Sequence, residues 1–252
     1  MKVIVFDFDG TLLNAQNEII GGQKTVDLLN QAQKSGYSLA ICTGRLDHDI
    51  VYISQKYDLN IENRISLNGA VVYKQDHLSA TLLDKEDALK VNQYLQSYEN
   101  DVRVEINTVS NRIWKTPRSA DLPKEFYDSS MIKTDFAEVI NYQPVVSYLL
   151  LGDNGKLLKI QKDVQAAFKN INAIMTSKTS LELTPPNISK GLALHQMYPG
   201  AQIYAIGDAE SDLAMKDYSE KLYMVNSQSF EGTYKVQSIT EALSDILVTE
   251  VV

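Results

Sequence analysis

The chain has 252 residues, 44% apolar and 22% charged, an ordinary balance for a folded globular protein with enough length for two domains. Its net charge is −8 and it carries no Lys/Arg-rich run, which argues against nucleic acid or an anionic membrane as the main partner. A lone Cys42 excludes an intrachain disulfide and a multi-cysteine zinc site; no apolar run approaches a membrane span and the N-terminus enters a strand directly, so a cytoplasmic protein is expected.

Val3-Ile4-Val5-Phe6 is an apolar, mostly β-branched run, the signature of a strand buried on both faces. It ends in Asp7-Phe8-Asp9-Gly10-Thr11-Leu12-Leu13. Two carboxylates at a buried strand end lose hydration and repel each other, and a bound divalent cation offsets both costs. Strand alternation places Asp7 and Asp9 on the same side. Gln23 to Lys34 has helical apolar spacing at Val26, Leu29 and Ala32, and Tyr37 to Cys42 reads as the next strand. Strand, helix and strand make a right-handed crossover, so the sheet is parallel. The second strand runs into Thr43-Gly44-Arg45, at the carboxyl edge where open α/β sheets bind ligands. Taken alone, Thr43 reads as the N-cap of a helix over 46–57. Arg64 to Leu67 is a third strand ending in the turn Asn68-Gly69-Ala70, and the segments 71–73 and 80–83 form a hairpin leading out of the core.

From Asp84 the pattern restarts. Residues 84–98 and 155–168 are amphipathic helices, and short strands are expected at 102–106, 112–115, 145–151, 173–176 and 181–184. These make an α+β domain over 84–184, inserted into a core of 1–83 and 185–252. Its polar loop from Thr116 to Asp128 carries Arg118 and Lys124, cations able to meet an anionic or hydroxylated group. Ser189 then caps a helix beginning at Lys190. A lysine there opposes the helix dipole, which points to a nearby anion cluster as its partner. Gln202 to Ile206 is another core strand, ending in Gly207-Asp208-Ala209-Glu210-Ser211-Asp212 before a helix from Leu213. Leu222 to Val225 and an apolar-spaced helix through Ile239, Leu243 and Ile246 complete the chain.

Asp7 to Leu13 resembles the first motif of the haloacid dehalogenase-like (HAD) phosphohydrolases. Thr43-Gly44-Arg45, Ser189-Lys190-Gly191 and the Gly207–Asp212 string resemble the second, third and fourth motifs, and Asn68-Gly69-Ala70 resembles a turn of the Cof-type subgroup. The resemblance implies an α/β fold, with a Rossmann-like, doubly wound parallel-sheet core and an inserted α+β cap. It also implies a Mg²⁺-dependent phosphatase acting on a small phosphate ester through a phosphoaspartate. Asp7 would be the nucleophile and Asp9 the general acid and base. Asp7, the Asp9 backbone carbonyl and Asp208 would bind the metal. Thr43, Gly44 and Lys190 would hold phosphate, with Asp212, Ser211, Arg45 and Asn68 in support. Asp9 must start protonated, and carboxylate neighbours are expected around it. Two departures stand out: Ser211 replaces the usual Asn, and Val225 replaces a Gly. A phosphomutase shares the same Asp-x-Asp chemistry, and a binding protein with weakened catalysis is the alternative from a different class.

Overall fold

The computed structural model describes residues 1–117, 130–226 and 230–248. The chain divides into two compact units, Met1–Ser79 with Ser189–Val252 and Ala80–Ile188.

In the first unit β1 (Lys2–Phe6) leads through a long loop to α1 (Gln23–Lys34) and back to β2 (Tyr37–Cys42). The pairing is parallel, from Lys2 opposite Tyr37 to Phe6 opposite Ile41. α1 buries Val26, Leu29 and Ala32, the residues at helical spacing. α2 (Asp47–Lys56), β3 (Asn63–Ser66), β4 (Val71–Lys74) and β5 (His77–Ala80) follow, with a 3₁₀ turn at Leu67–Gly69. The N-cap of α2 is Leu46, without a side-chain cap, so Thr43 does not serve that helix. The hairpin does not leave the core. β4 pairs antiparallel with β3, and β5 continues the same sheet. The apolar run at 80–83 misleads because Leu83 is buried in the second unit's core, and its N–H bonds to Val145 O at 3.0 Å.

The second unit contains α3 (Lys85–Leu95), β6 (Val102–Thr108), β7 (Arg112–Trp114), β8 (Ser130–Ile132), α4 (Phe136–Tyr142), β9 (Val145–Gly152), α5 (Asn154–Ala167), β10 (Asn172–Ser177) and β11 (Ser180–Thr184). Its sheet has the order β10-β11-β9-β6-β7-β8. Ala88, Val91 and Leu95 from α3 and Leu157, Ile160 and Val164 from α5 pack with Ile106, Tyr148, Leu150 and Leu181 of the sheet. The sequence reading missed α4 and β8. Yet α3, α4 and α5 all start on an aspartate N-cap: Asp84, Asp135 and Asp153. Asp135 Oδ1 accepts from the N–H groups of Ala137 and Glu138 at 2.9 and 3.1 Å, so the start signal for α4 was present ahead of a segment too short to show a period. Arg118 and Lys124 lie outside the described residues.

The chain re-enters the first unit with α6 (Lys190–Met197), whose N-cap Ser189 accepts from Leu192 N at 3.1 Å. β12 (Gln202–Gly207), β13 (Lys221–Val225), β14 (Tyr234–Val236) and α7 (Ile239–Val248) follow. The helix expected from Leu213 is a 3₁₀ segment that starts earlier, Glu210–Tyr218. Among the described residues the core sheet runs β14-β13-β12-β1-β2-β3-β4-β5, parallel from β14 to β3. β1 sits between β2 and β12, where the order of the strands reverses, and such a point opens a crevice at the carboxyl ends. Among the described residues no helix is long and apolar enough to cross a membrane.

Candidate active site

Register builds the site. Phe6 lies opposite Ile41 of β2 and opposite Ile206 of β12. Asp7 is therefore the first residue past the centre of the sheet, and its N–H bonds to Ile206 O at 3.0 Å. Thr43 and Asp208 leave the two neighbouring strands at the same edge.

Asp7 is buried, and Lys190 Nζ lies 3.1 Å from its Oδ1. That ion pair is off the hydrogen-bond direction, so Oδ1 has no hydrogen-bond partner. Lys190 Nζ instead donates to Asp212 Oδ1 at 2.7 Å. The other oxygen of Asp212 accepts from the N–H groups of Asp208 and Ala209, each at 3.0 Å. Fully buried Asp212 is thus committed on both oxygens, and it fixes the turn that carries Asp208. Thr11 Oγ1 donates to Asp208 Oδ1 at 3.0 Å. Gly10 allows the approach of this loop: its φ is +78°, and a Cβ there would lie 2.2 Å from Asp208 Oδ2.

The charges are unbalanced. Oxygens of Asp7, Asp208 and Asp212 lie within 4.8 Å of one another, and the Lys190 ammonium pairs with Asp7 and Asp212. Burial pushes the Asp7 carboxyl up to about 7, with Lys190 opposing and Asp212 adding to the rise. Burial raises Asp208 as well, against the Thr11 hydrogen bond. Burial works against the Lys190 charge, but the Asp7 and Asp212 carboxylates outweigh it and hold the proton. A divalent cation fits this set. Asp7 Oδ1 is a buried oxygen without a hydrogen-bond donor, and hard oxygen donors suit Mg²⁺.

Thr43 is buried, and its Oγ1 accepts from Arg45 N at 3.2 Å. Gly44 packs on Asn68, whose Oδ1 would be 3.2 Å from a Cβ at Gly44. The backbone N–H groups of Leu67 and Asn68 bond to the carbonyls of Arg45 and Thr43 at 3.1 and 3.0 Å. Asn68 therefore buttresses the Thr43–Arg45 loop. Ser211 is exposed at the start of the 3₁₀ segment, and Val225 is a buried end residue of β13.

Asp9 is placed differently from expectation. Strand alternation put it beside Asp7, but β1 ends at Phe6, so the two-residue period no longer applies. The Asp9 carboxylate is outside the acidic cluster. Its hydrogen-bond partner is a cation: Arg45 Nε donates to Oδ2 at 2.8 Å and Nη2 donates to Oδ1, while the Asp9 charge also reaches Asp208 and adds to the rise of that carboxyl. The same Nη2 donates to Asn17 Oδ1 at 2.7 Å. Behind Arg45 lies buried Asp49, with Oδ2 3.8 Å from Nη1. Burial alone would weaken the Arg45 charge; the Asp9 hydrogen bond and the charges of Asp9 and Asp49 more than compensate. Sequence reasoning passed over Asn17 and Asp49. Asn17 left no signal, but the i, i+4 spacing of Arg45 and Asp49 was visible.

Comparison with known proteins places this geometry in context. A sequence profile described as haloacid dehalogenase-like hydrolase matches residues 4–242. The 5-amino-6-(5-phospho-D-ribitylamino)uracil phosphatase YwtE of Bacillus subtilis (strain 168) is 25% identical to the chain, covering 85% of it and 84% of the relative. Phosphatase YwpJ of the same organism is 25% identical, over 88% of each. Among solved structures, a haloacid dehalogenase-like hydrolase from Bacteroides thetaiotaomicron superposes with a TM-score of 0.84 at 22% identity, over 97% of this chain and 99% of that one.

Proposed function

We infer that this chain, which belongs to the haloacid dehalogenase-like hydrolases, is a Mg²⁺-dependent phosphatase that cleaves a small phosphorylated metabolite through a phosphoaspartate on Asp7. One observation carries the reading: Asp7 is a buried carboxylate at the central strand end, with an oxygen lacking a hydrogen-bond donor, 3.1 Å from the Lys190 ammonium. A nucleophile needs that placement, because a carboxylate fully wrapped in hydrogen bonds attacks poorly.

The steps follow from the residues. An Asp7 oxygen attacks phosphorus in line, the bond from phosphorus to the ester oxygen breaks, and Asp9 gives its proton to the leaving oxygen. Asp9 then takes a proton from a water that attacks the phosphoaspartate, which releases inorganic phosphate and restores Asp7. Thr43 Oγ1, the Gly44 backbone and the Lys190 ammonium are the groups for the phosphate oxygens. Asp7, Asp208 and the Asp9 carbonyl would hold Mg²⁺, which would supply charge neutralisation between carboxylate and phosphate dianion. Asp212 positions Lys190 and Asp208 and takes no part in bond making.

The substrate class rests on two supports. The relative YwtE is named for a phosphorylated ribitylaminouracil, a small polyhydroxylated ester. The residues above handle only phosphate and the scissile oxygen, so discrimination among esters is assigned to the Ala80–Ile188 unit, read as a cap. A cytoplasmic site of action belongs to the same reading, which needs no redox-active or disulfide cysteine.

The test is hydrolysis of 4-nitrophenyl phosphate with Mg²⁺, with excess chelator and with zinc. Activity that disappears with chelator and returns with Mg²⁺ is expected. A folded protein that releases no phosphate from this ester or from a panel of sugar and nucleotide phosphates, or that works fully in chelator, overturns the reading.

A further inference from the structure

Arg45 immediately precedes Leu46, the N-cap of α2, so its guanidinium stands near the positive end of that helix. A cation is poorly placed there unless anions hold it. Its Nε–Nη2 edge grips both oxygens of Asp9, and Nη2 also reaches Asn17. The remaining nitrogen, Nη1, is buried, makes no hydrogen bond and faces Asp49 Oδ2 at 3.8 Å. The guanidinium is thus in contact with two carboxylates in unlike surroundings, and the Asp7 charge acts on it more weakly. The Asp9 side chain is 59% exposed and the Asp49 side chain 2%. Asp49 sits in the first turn of α2, where the helix dipole also favours its charge. The phosphoryl-transfer steps above make no use of it.

We propose that Asp49 is a positioning residue for the acid–base step: it holds Arg45 from behind and shares its charge, so that Arg45 orients the Asp9 carboxylate without locking it. Asp9 has both oxygens engaged by Arg45, yet it must deliver a proton to the leaving oxygen. At least one of those contacts has to open in every turnover. A guanidinium with Asp9 as its one carboxylate partner would resist that opening. A buried carboxylate on the far nitrogen weakens the pull, because the field of a charge in a poorly solvated site is little screened. The proposal rests on Asp9 being the acid and base.

The test uses leaving groups that differ in their need for a proton. Phenoxide needs protonation as it departs, and 4-nitrophenoxide needs it far less. In Asp49→Asn, kcat/KM for phenyl phosphate is expected to fall about tenfold while that for 4-nitrophenyl phosphate stays within about twofold. In an Arg45→Gln background the same substitution is expected to change neither by more than about twofold, since no grip remains to tighten. Circular dichroism and thermal unfolding verify the fold, and Asp49→Ser repeats the comparison should Asp49→Asn fail to fold. Equal losses for the two esters, equal losses in both Arg45 backgrounds, or no loss in any variant overturn the proposal and leave the phosphatase reading standing. A wild-type protein that hydrolyses neither these esters nor any of the sugar and nucleotide phosphates overturns the proposal together with that reading.

Discussion

Asp7 and Asp9 are two residues apart in the chain, and their side chains are 9% and 59% exposed. Asp7 is gripped from within: the strand register fixes its backbone, and Lys190, itself held by Asp212, faces its carboxylate. Asp9 is gripped from the rim, by one arginine and in reach of solvent. The difference matches the two tasks proposed for these residues. A nucleophile gains from a fixed position in a dry pocket. An acid and base must meet the leaving oxygen first and a water second, so it gains from a hold that can open. Hydrogen bonds at the rim are cheap to break because water replaces them.

The comparison is tested most severely at its two ends. Asp7→Asn keeps the shape of the side chain and removes the proposed nucleophile, so kcat should fall by more than ~10³-fold with the fold intact by circular dichroism. Retention of substantial turnover in folded Asp7→Asn would move the nucleophile elsewhere. Asp9→Asn should cost less, about 10²- to 10³-fold, and should leave phenyl phosphate worse affected than 4-nitrophenyl phosphate. A uniform loss on both esters would remove the acid role from Asp9.

Stability should divide along the same line. Lys190→Met leaves Asp7 and Asp212 buried without their ammonium, and urea unfolding of metal-free protein should show a loss of about 3 kcal/mol. Asp9→Asn removes the exposed side of the rim pair, and its cost should stay under about 1 kcal/mol. Similar costs for the two would erase the distinction between interior and rim.

The smallest effect is in pH. Burial pushes Asp7 up to about 7, so the folded, metal-free protein binds that proton more tightly than the unfolded chain does. The contribution of this group is fully present below the ordinary carboxylate range, declines as pH rises, and is lost once pH passes the folded value. Asp7→Asn should remove that part of the slope and should exceed the wild type in unfolding midpoint above neutrality. Parallel stability curves for the two proteins in chelator would show that Asp7 is not the source.

Much of the core was legible because parallel strands in an interior leave a plain pattern. Val3 to Phe6, Tyr37 to Cys42 and Gln202 to Ile206 are mainly apolar runs, each followed within two residues by a polar one, and the structure has strands at all three. The second unit was less legible. Its sheet includes β8, three residues long, and its helix α4 spans only seven, too short for a period to emerge from the background. The helix expected from Leu213 starts earlier because the Asp212 side chain bonds to the Asp208 and Ala209 amides and closes the turn beforehand.

By itself, the sequence determined which chemical groups stand at the carboxyl edge, because a strand's end is marked locally by the loss of apolar residues. It did not determine which way those groups face. Beyond Phe6 the direction of each side chain depends on the turn at Gly10, on Thr11 reaching Asp208 across 197 residues of chain, and on Arg45 meeting Asp9 from the next strand. Those contacts join segments far apart in sequence. Only the tertiary structure therefore decided that Asp212 commits its second oxygen to the Asp208 and Ala209 amides, and that the Asp9 carboxylate turns to Arg45 at the rim.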